Sequence, residues 1–125
     1  MEARKIIITG GATRVGAAIA EKLSGPNVEI TIHYNKSKSK AENLKNKLEK
    51  FGTKIYLVSG DLSKEKDIYK IIKFSKSKMK FFDCLINNAS LFENDKLENF
   101  TVDSCGKHLR TNLRAPAYLS KEFAV

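Results

Sequence analysis

Strand-like and helix-like segments alternate along the whole chain, and this alternation constrains the fold more than any other feature. Short apolar runs at residues 4–9, 28–34, 55–58 and 82–87 are typical of buried strands. Helical spacing of apolar residues follows each of the first three runs, and a last helical pattern begins near Thr101. Strands separated by helices of this length form βαβ units with right-handed crossovers. We therefore predict a doubly wound α/β fold, with a parallel sheet of about four strands covered by helices on both faces.

The helical patterns also predict which side chains face the sheet. Apolar residues three or four positions apart lie on one side of a helix and pack against the strands. The predicted contacts are Val15, Ile19 and Leu23 in the first helix, Ala41, Leu44, Leu48 and Phe51 in the second, Ile68, Ile71, Ile72, Ser75 and Met79 in the third, and Val102, Cys105, Leu109 and Leu113 in the last.

The length of 125 residues fits one domain, residues 1–125, and excludes a two-domain enzyme. Such a domain needs neither disulfides nor a structural metal. Cys84 and Cys105 match no metal-ligand spacing, so we predict buried free thiols and no metal site. No apolar run approaches the ~18 residues of a membrane span, and the first residues do not have a signal-peptide pattern. We expect a cytoplasmic protein without a membrane partner.

The net charge of +9 is concentrated in residues 36–80, which hold 14 Lys and five acidic residues. A nucleic-acid binder is one interpretation, and it predicts an affinity that falls steeply with salt. However, these lysines lack interleaved aromatic residues and an arginine cluster, and they are spread around amphipathic helices. A solvated lysine surface is the better interpretation, so we expect no nucleic-acid partner.

The segment that joins the first strand to the first helix reads Thr9-Gly10-Gly11-Ala12-Thr13-Arg14-Val15-Gly16. Glycines here permit a tight turn and a close approach of the backbone to a ligand, and the helix N-terminus offers N–H groups to a pyrophosphate. In doubly wound sheets a ligand binds at this carboxyl edge. The segment therefore indicates a dinucleotide-binding turn, although a glycine turn without a ligand is the alternative.

The end of the second strand indicates which dinucleotide binds. Sites that prefer NAD place an acidic residue there for the ribose 2′-hydroxyl, whereas residues 32–37 contain no acid. Arg14 and Lys36 supply positive charge, and Ser37 supplies a hydrogen-bond donor. This pattern favours NADP(H), unless Lys36 is an ordinary surface lysine.

Pro116 interrupts the last helix. Proline has no N–H, so the carbonyl of Asn112, four residues earlier, loses its usual α-helical donor. We therefore predict a kink at this point, with that carbonyl directed into the cleft.

Three sequence elements, in this order along the chain, together resemble the pattern of a known family. They are the Thr-Gly-x-x-x-Gly-x-Gly pattern at residues 9–16, the Asn87-Asn88-Ala89 segment after the fourth strand, and Asn112 on the next helix. Together they resemble the short-chain dehydrogenase/reductase superfamily. The resemblance implies a doubly wound fold and hydride transfer to or from a nicotinamide cofactor, and it covers the first half of the family's usual domain.

One branch of that family matches further residues. Arg14 replaces the usual middle glycine, residues 33–37 read His-Tyr-Asn-Lys-Ser, and Phe92 follows Asn-Asn-Ala-Ser, as in pteridine reductases. The resemblance implies that Arg14, Ser90 and Phe92 bind substrate, although Phe92 has an ordinary loop aromatic as its alternative. The implied cofactor-binding residues are Gly10, Thr13, Arg14, Val15, Gly16, His33, Tyr34, Asn35, Lys36, Ser37, Asp61, Leu62, Asn88, Ala89 and Ser90. For Asp61, capping of the next helix is the alternative.

The resemblance also implies a catalytic role for Asn112, whose main-chain oxygen holds a water of the family's proton relay. The family's Tyr and the Lys four residues later do not occur at matching positions, because neither Tyr34 nor Tyr118 follows a fifth strand. We therefore expect an NADP(H)-dependent reductase, acting on a pteridine or on another carbonyl compound such as a 3-oxoacyl thioester, whose 125-residue chain is inactive alone. A shortened chain, an enzyme assembled from two chains and a non-catalytic nucleotide-binding module all remain open.

The fourth strand predicts self-association. Phe82, Cys84, Leu85 and Ile86 make it apolar, and nothing in the sequence supplies a neighbour on its outer side. An apolar edge with unpaired N–H and C=O groups is a template for pairing with another chain. We expect a homo-oligomer with a small-molecule substrate.

Overall fold

The computed structural model describes residues 3–90 and 101–124. Strands and helices alternate in this part of the chain as the apolar pattern predicts. The elements are β1 (Arg4–Ile8), α1 (Arg14–Leu23), β2 (Val28–Tyr34), α2 (Lys38–Glu49), β3 (Lys54–Ser59), α3 (Glu65–Met79), β4 (Cys84–Ile86), α4 (Val102–Leu109), a π-helical segment (Arg110–Arg114) and α5 (Ala115–Ala124).

The described strands form one parallel sheet in the order β3-β2-β1-β4. In the central register, Ile30 of β2 lies opposite Ile6 of β1 on one side and Ile55 of β3 on the other. The chain returns to pair β4 with β1, so the strand order reverses beside β1. This topology confirms the predicted doubly wound fold and places a crevice at the carboxyl ends of β1, β2 and β4.

Two apolar cores cover the two faces of the sheet, because alternate residues of a strand point in opposite directions. Ile6 and Ile8 of β1 belong to one core, and Ile7 between them belongs to the other. The first core receives its helical residues from α1 and α2. The second core receives them from α3 and α5. Helices thus pack on both faces of the sheet. Because the strands are parallel, the residues that follow each strand lie at the same carboxyl edge of the sheet.

Some predicted helix contacts are wrong. Val15 is 64% exposed, and the buried residues of α1 are Gly16 and Ala20. Only small side chains fit where α1 starts against the glycine turn. Phe51 is exposed because α2 ends at Glu49, so the chain has already left the helical path.

The last helix also faces the sheet differently from the predicted pattern. The exposed residues include Val102, at 91%, with Leu109 and Leu113, whereas Ala115 and Leu119 are buried. The cause is a local change of winding. Residues Arg110–Arg114 form a π-helical segment, in which the N–H of Ala115 donates to the carbonyl of Arg110. An extra residue in one turn rotates the apolar side of the helix. The segment contains Asn112 and confirms that the helix is irregular just before Pro116.

The cysteines are free, but they are not buried as predicted: Cys84 is exposed and Cys105 is half-buried. Cys84 opens β4, which spans three residues rather than the predicted six and lies at the border of the described sheet. In residues 3–90 and 101–124, we find no helix that is long and apolar enough to cross a membrane.

We expect the 125-residue chain to self-associate. Among the described residues no strand pairs with the outer side of β4, and Leu109 and Leu113 expose apolar surface in the last helical region. Sedimentation velocity over about a hundredfold concentration range, with reductant to keep Cys84 reduced, should show a rising sedimentation coefficient. A single monomer species over the whole range would contradict this expectation.

Candidate nucleotide-binding site

The turn between β1 and α1 has two residues in the left-handed region of backbone space. Gly10 has φ +62°, and Arg14 has φ +52°. Glycine adopts this conformation freely, whereas a residue with a Cβ pays roughly 1 kcal/mol or more. Arg14 stands at the position of the middle glycine in the resembled family. Its side chain is therefore carried by a strained backbone.

Gly16 lies directly against this turn. A Cβ on Gly16 would overlap the Gly10 carbonyl oxygen and would lie 2.8 Å from the Gly11 Cα. It would also lie 2.7 Å from the Asn88 amide nitrogen. The missing side chain therefore sets how closely α1 approaches the turn.

Thr9 joins the turn to the segment after β4. Its side chain is 1% exposed, and its hydroxyl accepts hydrogen bonds from the backbone N–H groups of Asn88 and Ala89, both at 3.1 Å. In return, the Asn88 side-chain amide donates to the Gly10 carbonyl at 3.1 Å. These contacts hold the first and fourth strand ends as one unit.

His33 fixes the other side of the turn. Its ring lies 2% exposed at the end of β2, with Nδ1 accepting from the Gly10 N–H at 3.1 Å and Nε2 donating to the Gly60 carbonyl at 2.8 Å. Burial lowers the pKa of His33, so the ring supplies no positive charge near neutral pH. His33 therefore lines the cavity as a neutral group.

A cavity of about 630 Å³ lies in the crevice above these strand ends. Its lining contains most of the predicted cofactor-binding residues, which come from three separate segments of the sequence. The lining residues are Gly10, Ala12, Thr13, Arg14, Val15, His33, Tyr34, Asn35, Lys36, Ser37, Lys40, Asn88, Ala89 and Ser90.

The lining of the cavity is cationic. Arg14, Lys36 and Lys40 line it together with Ser37, and its lining within residues 3–90 and 101–124 includes no acidic residue. Ser37 occupies the N-cap position of α2 without a side-chain capping bond, so its hydroxyl is available to a ligand. Thr13 holds the same position at α1, again without a side-chain cap in the described part of the chain. The first-turn N–H groups of α1 can therefore receive an anion.

The structure does not bring every predicted residue to the cavity. Gly16 lies behind the turn, and the Leu62 side chain is buried in the second core, so Leu62 cannot offer its side chain to a ligand there. Asn112 is exposed in the π-helical segment and does not line this cavity. Phe92 lies outside the described residues.

Asp61 has the geometry of a turn residue. Its carboxylate accepts from the hydroxyl and from the N–H of Ser63, at 2.7 and 2.9 Å. The Ser63 hydroxyl bond is the main cause that lowers the pKa of Asp61. The carbonyl of Asp61 also accepts from the Lys64 N–H just before α3. These bonds form a turn ahead of α3, whose N-cap Lys64 has no side-chain capping bond among the described residues, so both the adenine contact and the helix cap stay predictions.

Two residues of the site were missed in the sequence. Thr9 was read only as the start of the glycine pattern, although a threonine that ends a buried strand is itself a signal for a hydroxyl clamp. Lys40 was read as part of the solvated lysine surface. Its position in the first turn of α2, one turn after Lys36, could have indicated that it faces the same ligand.

Comparisons with known proteins agree with this geometry. The family model for short chain dehydrogenase matches residues 4–125. Short-chain dehydrogenase/reductase FrzI from Cladobotryum sp is 29% identical over 113 residues, which cover 90% of this chain and 44% of FrzI.

Two solved structures share the fold. A Burkholderia cenocepacia short chain dehydrogenase in complex with NADP superposes with a TM-score of 0.93 at 26% identity, over 98% of this chain and 50% of that one. FolM alternative dihydrofolate reductase 1 from Brucella canis, complexed with NADP, has a TM-score of 0.84 at 29% identity, over 96% of this chain and 48% of that one. The chain thus spans about half the length of these relatives. With the family model matching nearly every residue, the chain belongs to the short-chain dehydrogenase family.

Proposed function

We propose that this chain is the cofactor-binding portion of an NADP(H)-dependent reductase that transfers hydride between the nicotinamide and a small-molecule substrate. The observation that carries the proposal is the cationic lining of the cavity, to which Arg14, Lys36 and Lys40 contribute together with Ser37 and the glycine turn. Phosphate oxygens accept strong hydrogen bonds from such groups. A carboxylate at the end of β2 would repel a 2′-phosphate, and residues 32–37 contain none.

The residues fit the rest of the dinucleotide as well. The first turn of α1 offers N–H groups for the pyrophosphate, and Gly10 lines the cavity beside it. Asn88, Ala89 and Ser90 line the side of the cavity that follows β4, where the nicotinamide half would extend. When bound, the cofactor supplies or accepts the hydride. The structures of the two NADP-bound relatives support this assignment.

For the substrate we propose a reduced pterin or a related ring. Arg14 and Ser90 line the same cavity as the glycine turn, and we assign them to substrate binding. We assign Phe92 to stack on the substrate ring. The name of the Brucella canis relative, an alternative dihydrofolate reductase, supports this class. Asn112 is assigned to the proton relay through its main-chain oxygen. The acid/base Tyr and Lys of the family have no counterpart at matching positions, so we propose that the 125-residue chain alone binds nucleotide without turnover.

Binding of NADP+ and NAD+ to the wild type and to Lys36→Glu tests the cofactor assignment. We expect the wild type to prefer NADP+ by about tenfold or more, because charge-assisted bonds contribute roughly 1.5–3 kcal/mol each. Lys36→Glu should weaken NADP+ and leave NAD+ nearly unchanged. Isothermal titration calorimetry measures both.

Two further variants, one control and one second test, complete the experiment. Lys73→Glu makes the same charge change at an exposed position of α3 that does not line the cavity, and it should leave both affinities near wild type. Arg14→Gly should weaken NADP+ while raising the melting temperature, because it removes a charge and relieves the positive φ. Equal affinity of the wild type for NADP+ and NAD+ would overturn the assignment.

A further inference from the structure

The His33 ring connects three strand ends from inside the molecule. Its Nδ1 accepts the Gly10 N–H of the turn after β1, and its Nε2 donates to the carbonyl of Gly60, which follows β3. The backbone of β2 completes the arrangement, since the His33 carbonyl accepts from the Gly11 N–H at 3.0 Å and the Tyr34 carbonyl accepts from the Gly60 N–H at 3.0 Å.

These partners allow one protonation state of the ring. The Gly10 N–H is a donor, so Nδ1 must carry a lone pair. The Gly60 carbonyl is an acceptor, so Nε2 must carry the hydrogen. The neutral Nε2–H tautomer satisfies both bonds. The imidazolium carries a hydrogen on each nitrogen, and it would set two donors, Nδ1–H and the Gly10 N–H, against each other.

The Gly10 bond matters because it holds the part of the turn that faces the cavity. Gly10 has φ +62°, its N–H is held by His33, and its carbonyl is held by the Asn88 amide. Loss of the ring's bond leaves the Gly10 N–H without its acceptor, and the turn is then held on the β2 side by the backbone bond from Gly11 to His33. We infer that His33 is a positioning residue whose neutral imidazole sets the glycine turn for nucleotide binding, so that protonation of His33 weakens the site. This inference rests on the nucleotide-binding function proposed above.

Charged groups around the ring act in both directions. Asp61 in the β3–α3 connection and Asp67 on α3 favour the cation, whereas Lys70 on α3 opposes it. Arg14 and Lys36 add positive charge on the cavity side. Burial is the largest influence and lowers the pKa of His33, so the ring is neutral in the folded state near neutral pH. The unfolded chain binds the proton more readily, and the stability that His33 contributes is therefore lost as pH falls below about 6.5 towards the lower folded pKa.

The first experiment measures the affinity of the intact chain for NADP+ and for NAD+ between about pH 8 and about pH 5. Both nucleotides are needed because a phosphate monoester itself titrates near pH 6. That titration affects NADP+ alone, whereas protonation of His33 affects both nucleotides. We expect the wild-type affinity for NAD+ to be constant near neutral pH and to fall at the acidic end of this range, where the ring takes up a proton.

Two variants separate the ring's bonds. In His33→Asn the side-chain oxygen stands near the position of Nδ1, accepts the Gly10 N–H and does not titrate, so affinity for NAD+ should be close to wild type at pH 8 and should not change with pH. In His33→Leu the acceptor is lost, and binding should be weak at every pH. An NAD+ affinity of the wild type that is independent of pH, or a His33→Asn variant that keeps the wild-type pH profile, would overturn the inference.

Nuclear magnetic resonance of the free wild-type chain gives a readout that needs no ligand. The chain has two histidines, and His108→Gln assigns their signals. The ¹⁵N shifts of His33 should show the Nε2–H tautomer, and the Gly10 amide signal should move with the titration of His33. An Nδ1–H tautomer, or a Gly10 amide that ignores this titration, would contradict the inference. If neither nucleotide binds at any pH, the proposed function fails, and these signals still decide the role of His33.

Discussion

Gly16→Ala is expected to remove measurable NADP+ binding and to destabilise the fold. The new Cβ would overlap the Gly10 carbonyl oxygen and press on the Gly11 Cα and the Asn88 amide. These neighbours are mainly backbone of the nucleotide turn, so they cannot rotate away as a flexible side chain would. Overpacking of this kind costs about 3 kcal/mol. Because the helix must move off the turn, NADP+ affinity should fall at least about a hundredfold.

Gly25→Ala is the matched control for this substitution. Gly25 lies in the connection after α1, a Cβ there meets nothing within 4 Å, and its φ lies outside the left-handed region that strains a side chain. Thermal melting and calorimetry should find this variant within about 0.5–1 kcal/mol of wild type, with unchanged affinity. Wild-type stability and binding in Gly16→Ala would show that α1 does not need its close approach to the turn.

Thr9→Val is expected to cost about 2 kcal/mol of folding free energy and to weaken NADP+ about tenfold. Valine keeps the shape of threonine, but it cannot accept the hydrogen bonds from Asn88 and Ala89. The Asn88 N–H retains the Ile86 carbonyl as a second acceptor, so the Ala89 N–H loses most. The segment after β4 then keeps the Asn88 side-chain bond to the Gly10 carbonyl but loses its bonds to Thr9, so the two walls of the cavity are held less firmly.

Thr9→Ser distinguishes the hydroxyl from the packing. Serine keeps the acceptor and loses one buried methyl group, which should cost about 0.8 kcal/mol without loss of affinity. The affinity should therefore follow the hydroxyl, while stability responds to both changes. Chemical denaturation and calorimetry on the same samples give the two quantities. An affinity that falls equally in Thr9→Ser and Thr9→Val would contradict the clamp.

Much of the fold could be predicted from the sequence because each element has a local signal. In β1 the signal is the apolar run Ile6–Ile8, and in β2 it is the alternation of Val28, Ile30 and Ile32 with other residues. The pattern of α3 was predicted fully, and Ile68, Ile71 and Met79 are all buried. The pattern failed where an element starts or changes its winding. Val15 lies in the first turn of α1, and Leu113 lies in the π-helical segment, where a period of 3.6 residues no longer describes which side faces the core.

The sequence by itself determined the order of strands and helices, the glycine turn and the absence of an acid at residues 32–37. These properties depend on neighbours in the chain, and periodicity and composition report them. Only the tertiary structure decided that Arg14 has a positive φ and that Lys40 lines the cavity. The same is true of the hydrogen bonds that join the His33 ring to Gly10 and Gly60. The physical reason is that a hydrogen bond between strand ends depends on the register and twist of the whole sheet, which brings together residues 23 and 27 positions apart in the chain.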